Sequence, residues 1–400
     1  MIQKKVLSNG LTVVYQKQDM KSVTINVSVK AGCLYEPDEI MGVSHFLEHM
    51  LFNGTTNRTQ LQILSEVENL GGELNAATAS DRTYYYVKMV KKHFDIALDV
   101  ISDMIQNSNF PNELYEREKG IVLDEINMVH DTPRHQQWIL FHDALFKDHP
   151  ASKRVLGTEE TITNLTREQL FDYYRKMYVP ENMVITIVGN VENVFEKVEE
   201  KFVFTGKKPS LSKIPLQENE GSNIIETREI QQSYMILGYS VPKRTHEDSY
   251  PLDIIKAVLG RGQSGWIFDE VRNKRGLAYD VGAYLDTSVD YGFFGVYINC
   301  HKKNFEKVKK LIFEQFERLQ GLTEKELIDA KNYIEGDFIL EHEDTEDEAQ
   351  EISFWELCNE AEDFDKYVKR IKSVKLEEVK EIAKKYFTEN YSEAIIQQKN

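Results

Sequence analysis

"FTGKKPSLSKIPLQENEGSN", residues 204–223, divides the chain. Gly, Pro, Ser and Lys with little apolar periodicity make a connecting segment rather than a packed element. The same order of elements reads on either side of it. Upstream, the strand "VTINVSVKAG" leads to a helix over 39–52, a second helix near 59–70, the strands of "GGELNAATASDRTYYYVKMV" and a helix from Lys92 to Gln106. Downstream, "QSYMILGYSVP" leads to a helix over 249–259, a short helix near 264–275, the strands of "GLAYDVGAYLDTSVDYGFFGVYINC" and a helix from Lys303 to Leu319. The tails "LTREQLFDYYRKMYVPENMVITIVGN" (165–190) and "VKLEEVKEIAKKYFTENYSEAIIQQ" (374–398) each read as helix then strand. The pattern predicts an internal duplication of class α+β: two homologous domains, each a largely antiparallel sheet with helices packed on one face. The expected division is a first domain over 1–205, a linker over 206–223 and a second domain over 224–400.

A chain of 400 residues is too long for one ordinary core, which agrees with two domains. The formal charge of −17, from 49 basic and 66 acidic residues, argues against nucleic acid as a partner. It would suit a cationic peptide, although acidic surfaces also simply aid solubility. The run "EHEDTEDEAQE" at 341–351 reads as a solvated helix face or loop. No apolar run approaches the roughly 18 residues that cross a bilayer, and "MIQKKVLSNGLTVVYQ" at the amino end has no apolar signal core. No membrane partner is expected. Three widely spaced cysteines, Cys33, Cys300 and Cys358, argue against a disulfide framework and for a reducing compartment, the cytoplasm.

Only the first half carries "GVSHFLEHMLFNGT", residues 42–55. At about 100° per residue, Val43, Phe46, Leu47, Met50 and Leu51 form one stripe, and His45, Glu48, His49 and Phe52 lie opposite. Two readings are open: a satisfied polar patch, or half of a metal site. Histidines at i and i+4 can point at a common atom, and zinc accepts such nitrogens but needs a third protein ligand. "YEREKGIVLDEINMV", 115–129, offers Glu118 and Glu125 seven residues apart, nearly on one helix face, with Ile121, Val122 and Ile126 as apolar neighbours. Such an acidic face is common. Yet two aligned carboxylates on a partly buried helix are costly without a positive partner. One zinc ion on His45, His49 and Glu125, with Glu118 one layer out, would meet that need.

H-x-x-E-H, with 75 residues between His49 and Glu125, resembles the inverted-motif zinc peptidases, the family of pitrilysin, insulin-degrading enzyme and mitochondrial processing peptidase. The likeness runs along nearly the whole chain, through "LSNGLTVVY", "GVSHFLEHMLFNGT", "GGELNAATASDRTYYY", "VLGTEETITNLT" and "YVPENMVITIVGNV". It implies a zinc metalloendopeptidase with one Zn²⁺ per chain, peptide substrates, and Glu48 as general base on the water at the metal. Glu118 would serve catalysis by orienting a ligand imidazole or the substrate. Asn75 and Ala76 match residues that hold the substrate backbone, and Ala77 shares their strand. Arg272 and Tyr279, in "FDEVRNKRGLAYDVGAY" (268–284), match a pair that holds substrate near the metal from another domain. Relatives with four domains close a chamber from two such halves, so this chain is expected to act as a homodimer. A monomer folding its own second domain over the site, or an active or structural subunit of a hetero-oligomer, are the alternatives.

Overall fold

Ser22–Val29 reads S-V-T-I-N-V-S-V, and both of its faces are buried. In the computed structural model, which describes residues 1–215 and 218–399, this strand is β3 of a six-stranded sheet. The sheet contains β1 (Ile2–Val6), β2 (Thr12–Gln16), β3 (Ser22–Val29), β4 (Glu73–Thr78), β5 (Thr83–Val90) and β6 (Met183–Gly189) in the order β1-β2-β6-β3-β5-β4. The second sheet contains β7 (Ser222–Arg228), β8 (Ser233–Ser240), β9 (Ala278–Thr287), β10 (Gly292–Cys300) and β11 (Ser392–Gln398) in the order β7-β11-β8-β10-β9. Without β1 the two orders are the same. In both, the last strand enters parallel to the first (β2 with β6, β7 with β11), and all other pairs are antiparallel. The duplication is therefore visible in the topology, and each sheet is largely antiparallel as expected. Leu216 and Gln217 of the expected linker, and Asn400 at the end of the expected second domain, lie outside the described residues.

Alternation along β3 sorts its neighbours by chemistry. Val23, Ile25, Val27 and Val29 enter a core shared with α1 (Val43–Leu51), α2 (Gln60–Glu68) and α3 (Phe94–Asn107). Thr24, Asn26 and Ser28 face the other way and are buried too. There the helix Thr345–Cys358 meets them with polar groups. Thr345 Oγ1 lies 2.9 Å from Thr24 Oγ1, Asn26 Nδ2 donates to Ser353 Oγ at 2.7 Å, and Ser353 Oγ donates to Thr186 Oγ1 at 2.7 Å. Helices thus cover both faces of this sheet, the second by a helix from the far half of the chain. That helix begins inside the acidic run, whose Thr345, Glu348 and Ala349 are buried, so the run is more than a solvated face.

The second sheet receives the reciprocal helix, α5 (Pro133–Phe146), against β8 and β11. Trp138, Phe141 and Phe146 surround Phe293 on that face. A Cβ on Gly238 of β8 would sit 2.8 Å from Phe141 Cζ, so only glycine lets the helix approach so closely. The compact units are accordingly discontinuous. One comprises Met1–Asn127, Lys153–Lys213 and Glu341–Asp365, and the other Met128–Ser152, Ile214–Leu340 and Lys366–Asn400. The expected division into 1–205, 206–223 and 224–400 does not contain this exchange. Its cause is that each sheet has a second face to cover. Among the described residues, no helix is long and apolar enough to cross a membrane.

Candidate metal centre

α1 is set by its own stripe: Val43, Phe46, Leu47, Met50 and Leu51 are all fully buried. Gly42 starts it at φ 94°, a left-handed conformation that suits glycine. The helix has no side-chain cap of the usual kind from the preceding residue. Instead the buried Glu36 carboxylate accepts the N–H groups of Gly42 and Ser44, at 2.6 and 2.8 Å. A negative group at a helix N-terminus meets both the unpaired donors and the helix dipole. Burial pushes the Glu36 acid up to about 7, against the bonds from Ser44 and Gly42.

With the apolar side committed to the core, His45, Glu48 and His49 are left half-buried on the other side. α4 (Asn112–Asp131) supplies the missing acid. Its inward stripe is Tyr115, Glu118 and Val122, continued by the half-buried Glu125 and Ile126. Ile121 does not join this stripe and is 40% exposed. Glu125 Oε2 lies 3.5 Å from His45 Nε2 and 3.7 Å from His49 Nε2. One ligand atom from each of the three lies within 4.8 Å of the others, the one such group of His, Cys, Asp and Glu among the described residues.

The donor set fits zinc. Separations of 3.5 and 3.7 Å are too long for good hydrogen bonds. They suit atoms around one tetrahedral ion with bonds of about 2.1 Å, which places ligands roughly 3.4 Å apart. His45, His49 and Glu125 would hold the ion.

Electrostatics around the histidines differ. Burial, then neighbouring His49, lowers His45 to about 3, so its ring is neutral, and its Nδ1 is buried without a hydrogen-bond partner. Burial alone would lower His49 as well, but Glu118, Glu125 and Glu48 outweigh it and raise its pKa. Glu118 is nearly enclosed and stays ionised. Against the cost of burial, its bonds to His49 and Arg117 lower its pKa. Arg117 Nη2 donates to Glu118 Oε1 at 2.8 Å and to Asn53 Oδ1 at 2.9 Å, and Asn53 Nδ2 donates to the His49 carbonyl at 3.0 Å. Glu48 stands outside this group of three and makes no ion pair among the described residues. Burial raises its pKa, opposed by a hydrogen bond from Thr78 Oγ1.

The other expected residues fall in two places. Asn75, Ala76 and Ala77 lie on β4, the edge strand of the first sheet. Asn75 is exposed, and its Oδ1 accepts the Ala76 N–H at 2.9 Å. Arg272 and Tyr279 belong to the second unit and meet each other, the guanidinium 5.7 Å from the Tyr279 ring centre and 5.0 Å from that of Phe268. Both are exposed, Tyr279 by 66%. Thr78, Glu36, Asn53 and Arg117 were absent from the sequence reading. Thr78, Asn53 and Arg117 stand inside the stretches "GGELNAATASDRTYYYVKMV", "GVSHFLEHMLFNGT" and "YEREKGIVLDEINMV", but no spacing there marks them.

Known proteins resemble the chain along its whole length. The model of the insulinase family, peptidase family M16, matches residues 12–159, and that of the peptidase M16 inactive domain matches 164–334. The zinc protease YmxG of Bacillus subtilis is 32% identical over 99% of this chain and 98% of its own. A zinc protease of Rickettsia felis is 32% identical over 98% and 96%. Among solved structures, a protease from Helicobacter pylori superimposes with a TM-score of 0.94 at 23% identity, covering 99% of both chains.

Proposed function

Because the chain belongs to the insulinase family of peptidases (M16) and is a zinc metallopeptidase, we propose that it is an endopeptidase for short, unfolded peptides, with Glu48 as its general base. The observation that carries this reading is the convergence of His45, His49 and Glu125 from two helices, with the unligated Glu48 one turn along α1 from His45. Zinc held there supplies Lewis-acid polarisation of the scissile carbonyl and lowers the pKa of water towards about 7.

The residues divide the remaining work. Glu48 takes a proton from the attacking water and returns it to the leaving amine, and its raised pKa suits both directions of transfer. Glu118 holds the His49 ring with Nε2 free for the metal. β4, as an edge strand, offers backbone groups to an extended peptide, with Asn75, Ala76 and Ala77 along the contact. Arg272 and Tyr279 contribute a cation and a hydroxyl for the carbonyl oxygen as charge develops. The presence of both residue sets in one chain supports a homodimer. Three free cysteines support a reducing, cytoplasmic setting.

Peptide hydrolysis by the purified chain tests the reading. A chelator abolishes it and zinc restores it. Glu48→Gln keeps the metal and loses turnover, whereas His45→Ala loses both. Wild-type turnover in Glu48→Gln would overturn the assignment of the base.

A further inference from the structure

We propose that Thr78 is a positioning residue for the peptidase reaction, holding the Glu48 carboxylate in the orientation from which it moves protons. The inference rests on the reading of Glu48 as general base.

Alternation along β4 puts Leu74, Ala76 and Thr78 on one face. Leu74 and Ala76 pack against the core that contains the apolar side of α1. Thr78 is the next residue in that file, at the point where β4 meets the polar side of the helix. Its Oγ1 donates to Glu48 Oε2. No other hydrogen-bond donor reaches the Glu48 side chain among the described residues.

A glutamate has three rotatable side-chain bonds, so an unanchored Glu48 would sample several orientations. Threonine is stiff at χ1, which aims its hydroxyl in advance, while its methyl group keeps the packing of the file. Because β4 is also the edge strand proposed to take the peptide, one short element would present both the substrate backbone and the donor that orients the base. Misplacing a catalytic group by a fraction of an ångström lowers the rate without weakening substrate binding.

The test compares Thr78→Val and Thr78→Ser with wild type and with Glu48→Gln, using zinc-loaded protein and one peptide substrate. Valine keeps shape and removes the donor. The expected result is a kcat about tenfold lower with KM within about twofold, full zinc content, and most of the rate regained in Thr78→Ser. Unchanged kcat in Thr78→Val overturns the proposal. So does a loss confined to KM, a loss of zinc, or a kcat defect that serine does not repair. If Thr78→Val does not fold, Thr78→Ala against Thr78→Ser makes the same comparison. Turnover surviving in Glu48→Gln would instead remove the base reading, whatever the threonine variants do.

Discussion

Glu118 Oε2 stands 3.3 Å from His49 Nδ1, and this relationship assigns the two nitrogens of the ring. An ionised carboxylate only accepts, so Nδ1 carries a proton and Nε2 is the nitrogen turned to the side of Glu125. Arg117 and Asn53 extend the network to the backbone of α1 at His49. The His49 ring is therefore held at Nδ1, and the same network reaches the His49 backbone carbonyl.

Glu118→Ala removes that support and leaves the three proposed ligands in place. The expected result is a zinc affinity about 10- to 100-fold lower, read by competition with a chromophoric chelator. An affinity within twofold of wild type would remove Glu118 from the site.

Proton release on zinc binding should be close to one. His45, lowered to about 3, is already neutral at pH 6, whereas His49 is raised and holds a proton that the ion must displace. Zinc affinity is then fully present above the His49 pKa and falls about tenfold per pH unit below it, with a slope of one rather than two. Calorimetric titration at pH 6 in buffers of different ionisation enthalpy measures the count. Glu48→Gln is the protein to use, since its side chain has no proton to release. A value near two would mean that His45 is also charged before the ion binds.

The two helices of the site were legible because each carries a complete periodic stripe. In α1 five apolar positions commit one side to the core and leave the histidines opposite, and in α4 the seven-residue spacing sets Glu118 and Glu125 over one another. Ile121 shows the limit of such reasoning: one position off the stripe, it is exposed rather than beside the acids. The helix exchange was not legible. Thr24, Asn26 and Ser28 alternate with valine and isoleucine just as a solvent-facing row would, and no periodicity names Thr345 and Ser353 as what covers them. The Glu48–Thr78 contact is hidden for the same reason, since it joins a helix and a strand thirty residues apart.

Glu36 makes stability depend on pH in a direction opposite to that of most carboxylates. Its folded pKa of about 7 lies above the ordinary value of 4.5. Its contribution is fully present below about 4.5 and is lost as pH rises through about 7, because the folded state keeps a proton that the unfolded chain releases. Urea unfolding of wild type and Glu36→Gln at pH 5, 6, 7 and 8 reads this as a difference. The advantage of wild type should shrink by about 2.5 kcal/mol across the range. An advantage that grows with pH would mean that the N-terminus of α1 holds the carboxylate ionised.

Ser353 tests the exchanged helix. Its hydroxyl receives Asn26 Nδ2 and donates to Thr186 Oγ1, both at 2.7 Å, and all three residues are buried. Ser353→Ala leaves two polar groups without this partner, and a buried unsatisfied group costs about 1–3 kcal/mol. Loss of that order is expected in urea unfolding, because serine to alanine leaves almost no cavity to add a packing penalty. Asn26 Nδ2 also donates to the buried Ser28 Oγ at 2.9 Å, so the whole seam includes that hydroxyl. Replacing it together, with Asn26→Leu, Ser28→Ala, Thr186→Val and Ser353→Ala, should recover most of the loss, since none of these polar groups is then stranded. A quadruple variant less stable than the single one would show that the polar contacts themselves, rather than the avoidance of unpaired groups, hold this helix on the sheet.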